Sequence, residues 1–269
     1  MWAFACGVVS SGVPALPHWA LILAGVLLAG PLVCATSQAA NDWFDRHLDA
    51  INEPNRPIPS GRIPGRWGLY IAYIWTALSL ALAAALGEWV LYAAIFGLLL
   101  AWAYSAPPIR LKLNGWWGNA AVAICYEGLP WFTGAAIMAG GLPEWRIIGL
   151  ALLYSFGAHG IMTLNDFKAI EGDKAMGVRS LPVQLGVEKA VRLACFVMAA
   201  PQFVVIALLI HWSLPFPAAL VALLLLFQFL LMPALLANPR EQAAWYNATG
   251  TTFYVLGMMV SAVALRQPQ

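Results

Sequence analysis

The feature that most constrains this chain is a recurring pattern of long apolar runs cut by proline, glycine and charge. A hydrocarbon core about 30 Å thick requires about 20 apolar residues per helix. Nine candidate runs lie near 1–13, 18–39, 67–86, 89–105, 117–140, 146–164, 189–211, 215–236 and 245–265. Hydrophobic residues make up 62% of the 269 and charged residues 10%, against roughly 25% charged in a soluble domain. Mean hydropathy is +0.76. So few charges could not cover a water-soluble fold of this size. The expectation is an all-α polytopic membrane protein, one membrane domain over 1–269, with about nine transmembrane helices around a central cavity. No stretch between the runs is long enough to fold alone. The first run is shorter than a full span and has no charged lead-in, so it does not read as a complete signal peptide. It reads as the remainder of a helix whose beginning is absent.

Charge sets the expected orientation. Apart from Arg146 and Arg266, every one of the 14 Lys and Arg residues falls after the second, fourth, sixth or eighth run. Cytoplasmic loops carry the excess of Lys and Arg, so these four loops are expected inside, with the N-terminus inside and the C-terminus outside. A net charge of +2 leaves no footprint for nucleic acid. Cys6, Cys34, Cys125 and Cys195 are scattered through apolar runs without ligand spacing, which suits small buried hydrophobes rather than disulfides or a thiolate metal site.

The carboxylates carry the chemistry. Seven of the 12 lie in two short stretches, Asp42, Asp45, Asp49 and Glu53 in one, Asp166, Glu171 and Asp173 in the other. Asn41, Asp45 and Asp49 are spaced i, i+4, i+8, which stacks them on one face of a continuing helix. Asp166 and Asp173 are seven apart, two turns on one face, with Glu171 nearby. Like charges stacked this way destabilise an isolated helix, an arrangement that makes sense if cations fill the gap. Hard oxygen ligands without His or Cys select Mg²⁺ or Ca²⁺, and Mg²⁺ prefers one or two carboxylates plus substrate phosphates. Two Asp clusters at one mouth of a helical bundle therefore predict a clamp for a Mg²⁺-bound diphosphate. The basic residues interleaved with them, Arg56, Arg62, Lys168, Lys174 and Arg179, suit its remaining charge.

The pattern N-x-x-x-D-x-x-x-D, followed by R-P-x-x-S-G and a second Asp-rich loop, resembles the UbiA superfamily of intramembrane prenyltransferases. The strings N-D-W-F-D-R-H-L-D-A-I-N-E-P-N-R-P-I-P-S-G-R-I and T-L-N-D-F-K-A-I-E-G-D-K-A-M-G-V-R-S-L-P-V-Q-L-G resemble its chlorophyll synthase branch, on the bacteriochlorophyll-making side. Y-S-A-P-P-I-R-L-K, from Tyr104 to Lys112, is similar to another segment of that branch. Two features depart from the superfamily: Ala169 stands where the earlier Asp of a second D-x-x-x-D would align, and members usually have a longer N-terminus. The resemblance implies a cavity open laterally to the bilayer and capped by the two Asp loops. It implies esterification of the propionate of bacteriochlorophyllide a, or alternatively chlorophyllide a, by geranylgeranyl or phytyl diphosphate. Mg²⁺ would be the cofactor, with Asn41, Asp45, Asp49, Asp166 and Asp173 at the Mg²⁺-diphosphate site, Asp42 and Glu171 as further ligands, and Asp166 and Glu171 standing in for the missing Asp. Arg56, Arg62, Lys168 and Arg179 would meet the diphosphate. Membrane lipid and other pigment-biosynthesis proteins would be its surroundings, in a bacterial inner photosynthetic membrane.

Several residues are read separately. Glu127, in mid-span, is costly at that depth and a functional candidate by default, either lining the cavity and orienting macrocycle substituents or forming a neutral hydrogen bond to a neighbouring helix. His159, seven residues before Asp166, is expected on the same inward face, as a ligand for a chlorin's central Mg or as a packing histidine. Pro54, Pro57, Pro59 and Pro64 forbid a continuous helix after Asn52, so an ordered loop should cover the site, with Gly61 and Gly65 giving it freedom to open. Three other readings compete. A transporter would place its carboxylates near the midplane and show inverted repeats. A pigment-binding subunit without turnover would need His ligands but no paired Asp loops. A related prenyltransferase acting on an aromatic or quinone ring would need an aromatic acceptor pocket.

Overall fold

The computed structural model describes residues 1–266, the side chain of Asn52 apart. Its regular elements are helical. They are α1 (Trp2–Ser10), α2 (Trp19–Leu27), α3 (Ala35–Asn52), α4 (Trp67–Leu86), α5 (Glu88–Ser105), α6 (Gly115–Ala123), α7 (Leu129–Ala139), α8 (Trp145–Asn165), α9 (Ile170–Ala175), α10 (Leu181–Leu185), α11 (Val187–His211), α12 (Pro215–Ala237) and α13 (Pro239–Leu265). Among the described residues, eight helical stretches are long and apolar enough to cross a membrane. The run expected as a first span is α1, only nine residues long.

Two of the eight stretches are joined through π-helical turns. Leu28–Cys34, which contains Pro31, links α2 to α3, and Ile124–Gly128 links α6 to α7. A π turn is a wider turn that shifts every later side chain around the axis, and such turns gather at functional sites. Trp75 donates its indole N–H to the Pro31 carbonyl at 3.0 Å, so this backbone oxygen is satisfied although helical bonding is disturbed around a residue without an N–H. Proline also stands in the first turn of α12 and α13, where its missing donor has no cost.

α8 lies at the centre of the larger half of the bundle, packed on α6, α11 and α13, while α12 covers α13. Tyr154, Tyr246, Tyr254 and Trp131 are fully buried there. Several polar groups inside this half are paired, as a lipid environment favours. Tyr154 Oη and Ser261 Oγ are 2.8 Å apart, Tyr254 donates to the Tyr154 carbonyl at 2.5 Å, and Gln202 and Gln228 exchange two amide hydrogen bonds of 3.0 Å. A smaller core unites Phe4, Leu28, Val90 and Ile137 in the other half. α1 docks there by close backbone approach: a Cβ on Gly7 would lie 2.0 Å from the Trp131 carbonyl oxygen, and one on Gly134 would lie 2.3 Å from that of Phe4. Small residues are what let membrane helices come this near.

The loops that carry most of the cations meet at one end of the bundle. Asn114 and Arg179 pair as a short parallel bridge, Asn247 donates to Asn165 at 2.8 Å, and Arg240 reaches Glu171 at 3.2 Å. At the other end, Arg146 lies over the rings of Trp145 and Trp212, 5.7 and 5.3 Å from their centroids.

Candidate active site

α3 continues the helix of α2 beyond its apolar part, so Asn41, Asp45 and Asp49 ride on one rigid element. Asn41 donates to Ser105 at the end of α5, 3.1 Å away. Asp45 is gripped by two cations from the segment after α5: Arg110 at 3.4 Å and Lys112 in a shorter contact. Asp49, only 8% exposed, meets Arg56 of the proline-rich loop at 3.2 Å, and the same guanidinium group bonds Asp42 at 3.2 Å and Glu53 at 2.7 Å. Both stacked carboxylates thus have cationic partners and Asn41 adds only a neutral amide, which resolves the repulsion the spacing would impose. Burial pushes the Lys112 ammonium below the ordinary lysine value, and its bond to Asp45 works against that shift.

Arg110 is itself strained. It holds left-handed backbone at φ 42° and ψ 59°, a region that non-glycine residues seldom adopt and that concentrates at functional positions. Its Nε is buried and meets no hydrogen-bond partner among the described residues. A fork of donors with one prong unused suits a ligand with several acceptor oxygens.

The second cluster is built differently. α8 ends at Asn165, and one 3-10 turn, Asp166–Lys168, leads into α9. Asn119 of α6 donates to Asp166 at 3.0 Å and to Thr163 at 3.4 Å. Asp173 is 8% exposed and within electrostatic reach of Asp166, yet no cation or hydrogen-bond donor meets its carboxylate among the described residues. Tyr104 sits between the clusters, in electrostatic reach of Asp45, Asp166 and Asp173. Among the described residues no group of three or more His, Cys, Asp or Glu side chains is placed to hold an ion unaided. The donor set is one of scattered hard oxygens that need a ligand to complete them.

Below this charged end lies a cavity of about 410 Å³ walled by α3, α5, α6 and both π turns, mostly with Ala29, Val33, Gly97, Ala101 and Val122. Its polar rim includes Ser37, Gln38 and Tyr104; Ser37 and Gln38 precede Asn41 and Asp42 by one turn. The clusters suit an anionic head and the neighbouring cavity an apolar tail.

Several expected residues stand elsewhere. Glu171 turns to Lys174 (3.7 Å) and Arg240 (3.2 Å), whereas Asp166, the other residue read as replacing the missing Asp, is in electrostatic reach of Asp173. Arg62 bonds Ser60 at 3.1 Å and the Asn55 carbonyl, occupied within its own loop. Lys168 and Arg179 are exposed, and Arg179 acts through its backbone, which bonds Leu113 and Gly115 at 2.9 and 2.8 Å. Arg110 and Lys112, not Arg62, Lys168 or Arg179, are the cations that join Arg56 at the carboxylates. They were visible only as part of Y-S-A-P-P-I-R-L-K. Glu127 does not line the cavity; the π turn presents Cys125 and Tyr126 there and leaves Glu127 in electrostatic reach of Cys6 and Tyr254. His159 takes the packing arrangement: Nε2 donates to the Trp116 carbonyl at 3.2 Å and the two rings lie 5.9 Å apart. The proline-rich segment forms an ordered loop with Gly61 and Gly65 at φ +79° and +58°, and its Arg56 closes over Asp42 and Asp49.

A mixed-charge mouth above an apolar cavity inside a helical membrane bundle suits a substrate with an anionic head and an apolar tail. The chain belongs to the UbiA prenyltransferase family, whose pattern matches residues 1–264. It is similar to the bacteriochlorophyll synthase 33 kDa chain of Cereibacter sphaeroides, 60% identical over 266 residues that cover 99% of this chain and 88% of that one. Chloroplastic chlorophyll synthase of Oryza sativa subsp. japonica is 39% identical, over 98% of this chain and 72% of its own length. In fold it matches a UbiA homologue from Archaeoglobus fulgidus bound to DMAPP and Mg²⁺, with a TM-score of 0.68 at 21% identity, covering 96% of each chain.

Proposed function

We propose that this chain esterifies the propionate of bacteriochlorophyllide a with geranylgeranyl diphosphate, or phytyl diphosphate, and releases diphosphate. The observation that carries the reading is an apolar cavity whose residues Ser37, Gln38 and Tyr104 lie next to a mouth of paired carboxylates and cations. The acceptor is chosen by similarity to the relative named bacteriochlorophyll synthase; chlorophyllide a is the second candidate, from the more distant chlorophyll synthase.

The residues fit Mg²⁺ as cofactor. Asp173 is an almost buried carboxylate that meets no cation among the described residues, and a cation beside it would offset the cost of burying its charge. Asp166 and Asp173, with Asp45, Asp49 and Asn41 across the mouth and Asp42 at its edge, would hold the ion together with diphosphate oxygens. Bound there, Mg²⁺ supplies Lewis-acid stabilisation of the charge that builds on the diphosphate. Arg56, Arg110 and Lys112 exchange carboxylate partners for diphosphate oxygens and add preorganised positive charge at the leaving group. The allylic C–O bond breaks with its electron pair going to diphosphate, and a propionate oxygen forms the new bond to that carbon. The apolar wall keeps water from the cation-like carbon. A propionate is already ionised near neutral pH, as model carboxyl pKa values of about 4 indicate, so no general base is required.

By the distribution of Lys and Arg the charged mouth faces the cytoplasm, in a bacterial photosynthetic inner membrane, where other pigment-biosynthesis proteins are the expected neighbours. Purified protein in detergent with added lipid, given geranylgeranyl diphosphate and either chlorin with Mg²⁺ or with EDTA, tests the reading through the retention of esterified pigment on a reversed-phase column. Mg²⁺-dependent ester from bacteriochlorophyllide a is expected. Ester from chlorophyllide a alone would replace the acceptor, and ester from neither would overturn the proposal.

A further inference from the structure

We infer that Asn119 is a positioning residue for the metal: it aims the Asp166 carboxylate without neutralising it. The inference rests on the Mg²⁺-diphosphate reading above, in which Asp166 is a ligand. Asn119 lies on α6 and is only 8% exposed. Its Nδ2 donates to Asp166 Oδ2 at 3.0 Å and to Thr163 Oγ1 at 3.4 Å. Thr163 commits its own proton to the His159 carbonyl at 2.9 Å, so toward Asn119 its hydroxyl can only accept. An ionised carboxylate is likewise acceptor-only. Both neighbours therefore require the nitrogen of the amide on this side, which leaves the side chain one orientation that satisfies them.

The kind of partner matters as much as its place. Asp45 and Asp49 are held by Arg110, Lys112 and Arg56, which offset their charge as well as fix them. A neutral amide fixes a carboxylate and leaves its charge whole. Among the described residues the hydrogen bond from Asn119 engages Oδ2 of Asp166, and Oδ1 is left for an ion. Groups that hold a metal-binding carboxylate from behind set its orientation, and their loss typically costs about 10–100-fold in metal affinity.

α6 extends this contact across the mouth. The helix is capped by Asn114, whose side chain accepts from the Trp116 N–H at 3.0 Å. On the turn that carries Asn119, Gly118 backs onto the segment with Arg110 and Lys112. A Cβ there would lie 3.1 Å from the Leu111 carbonyl oxygen and 3.3 Å from Lys112 Cα. One turn of α6 therefore touches the cation segment through residue 118 and the second acidic cluster through residue 119. The placement of Asp166 relative to the cations is set by that turn.

The test uses the full chain in detergent with lipid, as wild type, Asn119→Ala, Asn119→Leu, Asp166→Asn and the Asn119→Ala/Asp166→Asn double variant. Leucine keeps the approximate volume of the amide and none of its donors. Mn²⁺ stands in for Mg²⁺, and its affinity is read from loss of the free-ion EPR signal, with geranylgeranyl thiolodiphosphate present and a protein-free blank subtracted. Asn119→Ala and Asn119→Leu are each expected to weaken Mn²⁺ binding by about 10–100-fold. The Mg²⁺ requirement of turnover should rise in step, with saturating Mg²⁺ restoring most of kcat. The double variant should bind no more weakly than Asp166→Asn alone, because a residue that acts through Asp166 then has nothing left to aim. Wild-type affinity in Asn119→Leu would make Asn119 a filler of space and overturn the assignment, as would a double variant whose loss is the product of the single losses. Unaltered affinity in both Asn119 variants beside a weakened Asp166→Asn overturns the positioning role alone and leaves the metal reading standing. Unaltered affinity in Asp166→Asn removes Asp166 from the metal site and the inference with it, and wild type that takes up no Mn²⁺ above the blank removes both readings.

Discussion

The two acidic regions at the mouth of this bundle solve the same electrostatic problem in opposite ways. On α3, Asp42, Asp45 and Asp49 are matched by Arg56, Arg110 and Lys112, so that region is neutralised by the chain itself. Across the mouth, Asp166 has only the amide of Asn119, and Asp173 has no partner among the described residues. The first region stores cations ready to be handed to an anion; the second stores a charge that waits for a metal. A diphosphate with its metal completes both together, which couples substrate binding to relief of the imbalance. Neither half would work if copied: two neutralised clusters would hold no metal, and two bare ones would repel the substrate.

The largest effect should come from emptying the neutralised side. Asp45→Ala or Asp49→Ala is expected to lower turnover by about 10³-fold, at the upper end of what single charge-stabilising groups contribute, with helix content and gel-filtration profile unchanged. Near-normal turnover in either would break the contrast. Lys112→Ala should cost about 10²-fold in kcat/KM for the diphosphate. Its ammonium is needed charged and is lost as pH rises through its lowered value. The alkaline limb of kcat/KM should therefore fall at lower pH than for an ordinary lysine, and Lys112→Arg should move that limb upward. A limb that stays in place in Lys112→Arg would take Lys112 out of the binding step.

Asp173→Asn sharpens the contrast because its two readouts should part company. Removing an uncompensated buried charge should raise Tm in EDTA by about 2 °C for each kcal/mol relieved, while Mg²⁺-dependent turnover falls. A Tm that falls in EDTA would mean that the carboxylate is already compensated. The smallest effect is expected at Glu171, whose partners Lys174 and Arg240 lie on the rim. Glu171→Gln should stay within about twofold, since exposed ion pairs contribute little, and Glu188→Ala should be silent in the same assay. A large loss at Glu171 alone would place it back among the metal ligands.

Much of this could be read from the chain because the forces concerned act locally. Hydropathy located the long helices to within a few residues, and the spacing of Asn41, Asp45 and Asp49 put them on one helix. Proline stopped that helix at the observed place. What escaped was set by partners distant in sequence. Asp45 meets Lys112 across 67 positions, and nothing near either residue announces the other, so the sequence points only to cations in the loops that carry the carboxylates. For Glu127, depth in the span leaves two roles open, and the π turn at Ile124–Gly128 decides which side chains reach the cavity, Cys125 and Tyr126 among them. The choice between ligand and packing roles for His159 needed the position of the Trp116 carbonyl, which belongs to a different helix.

The reciprocal amide bonds between Gln202 and Gln228 have a consequence for biogenesis. α11 leaves the ribosome before α12, and until α12 enters the bilayer Gln202 has only the Met198 carbonyl of its own helix to bond, at 2.9 Å. Each side chain alone is a penalty in hydrocarbon; together they form a latch that rewards one rotational register of the helical hairpin. A misrotated α12 would leave each amide with only a carbonyl of its own helix, that of Met198 or Leu224, so the pair favours the observed register before α13 packs on it.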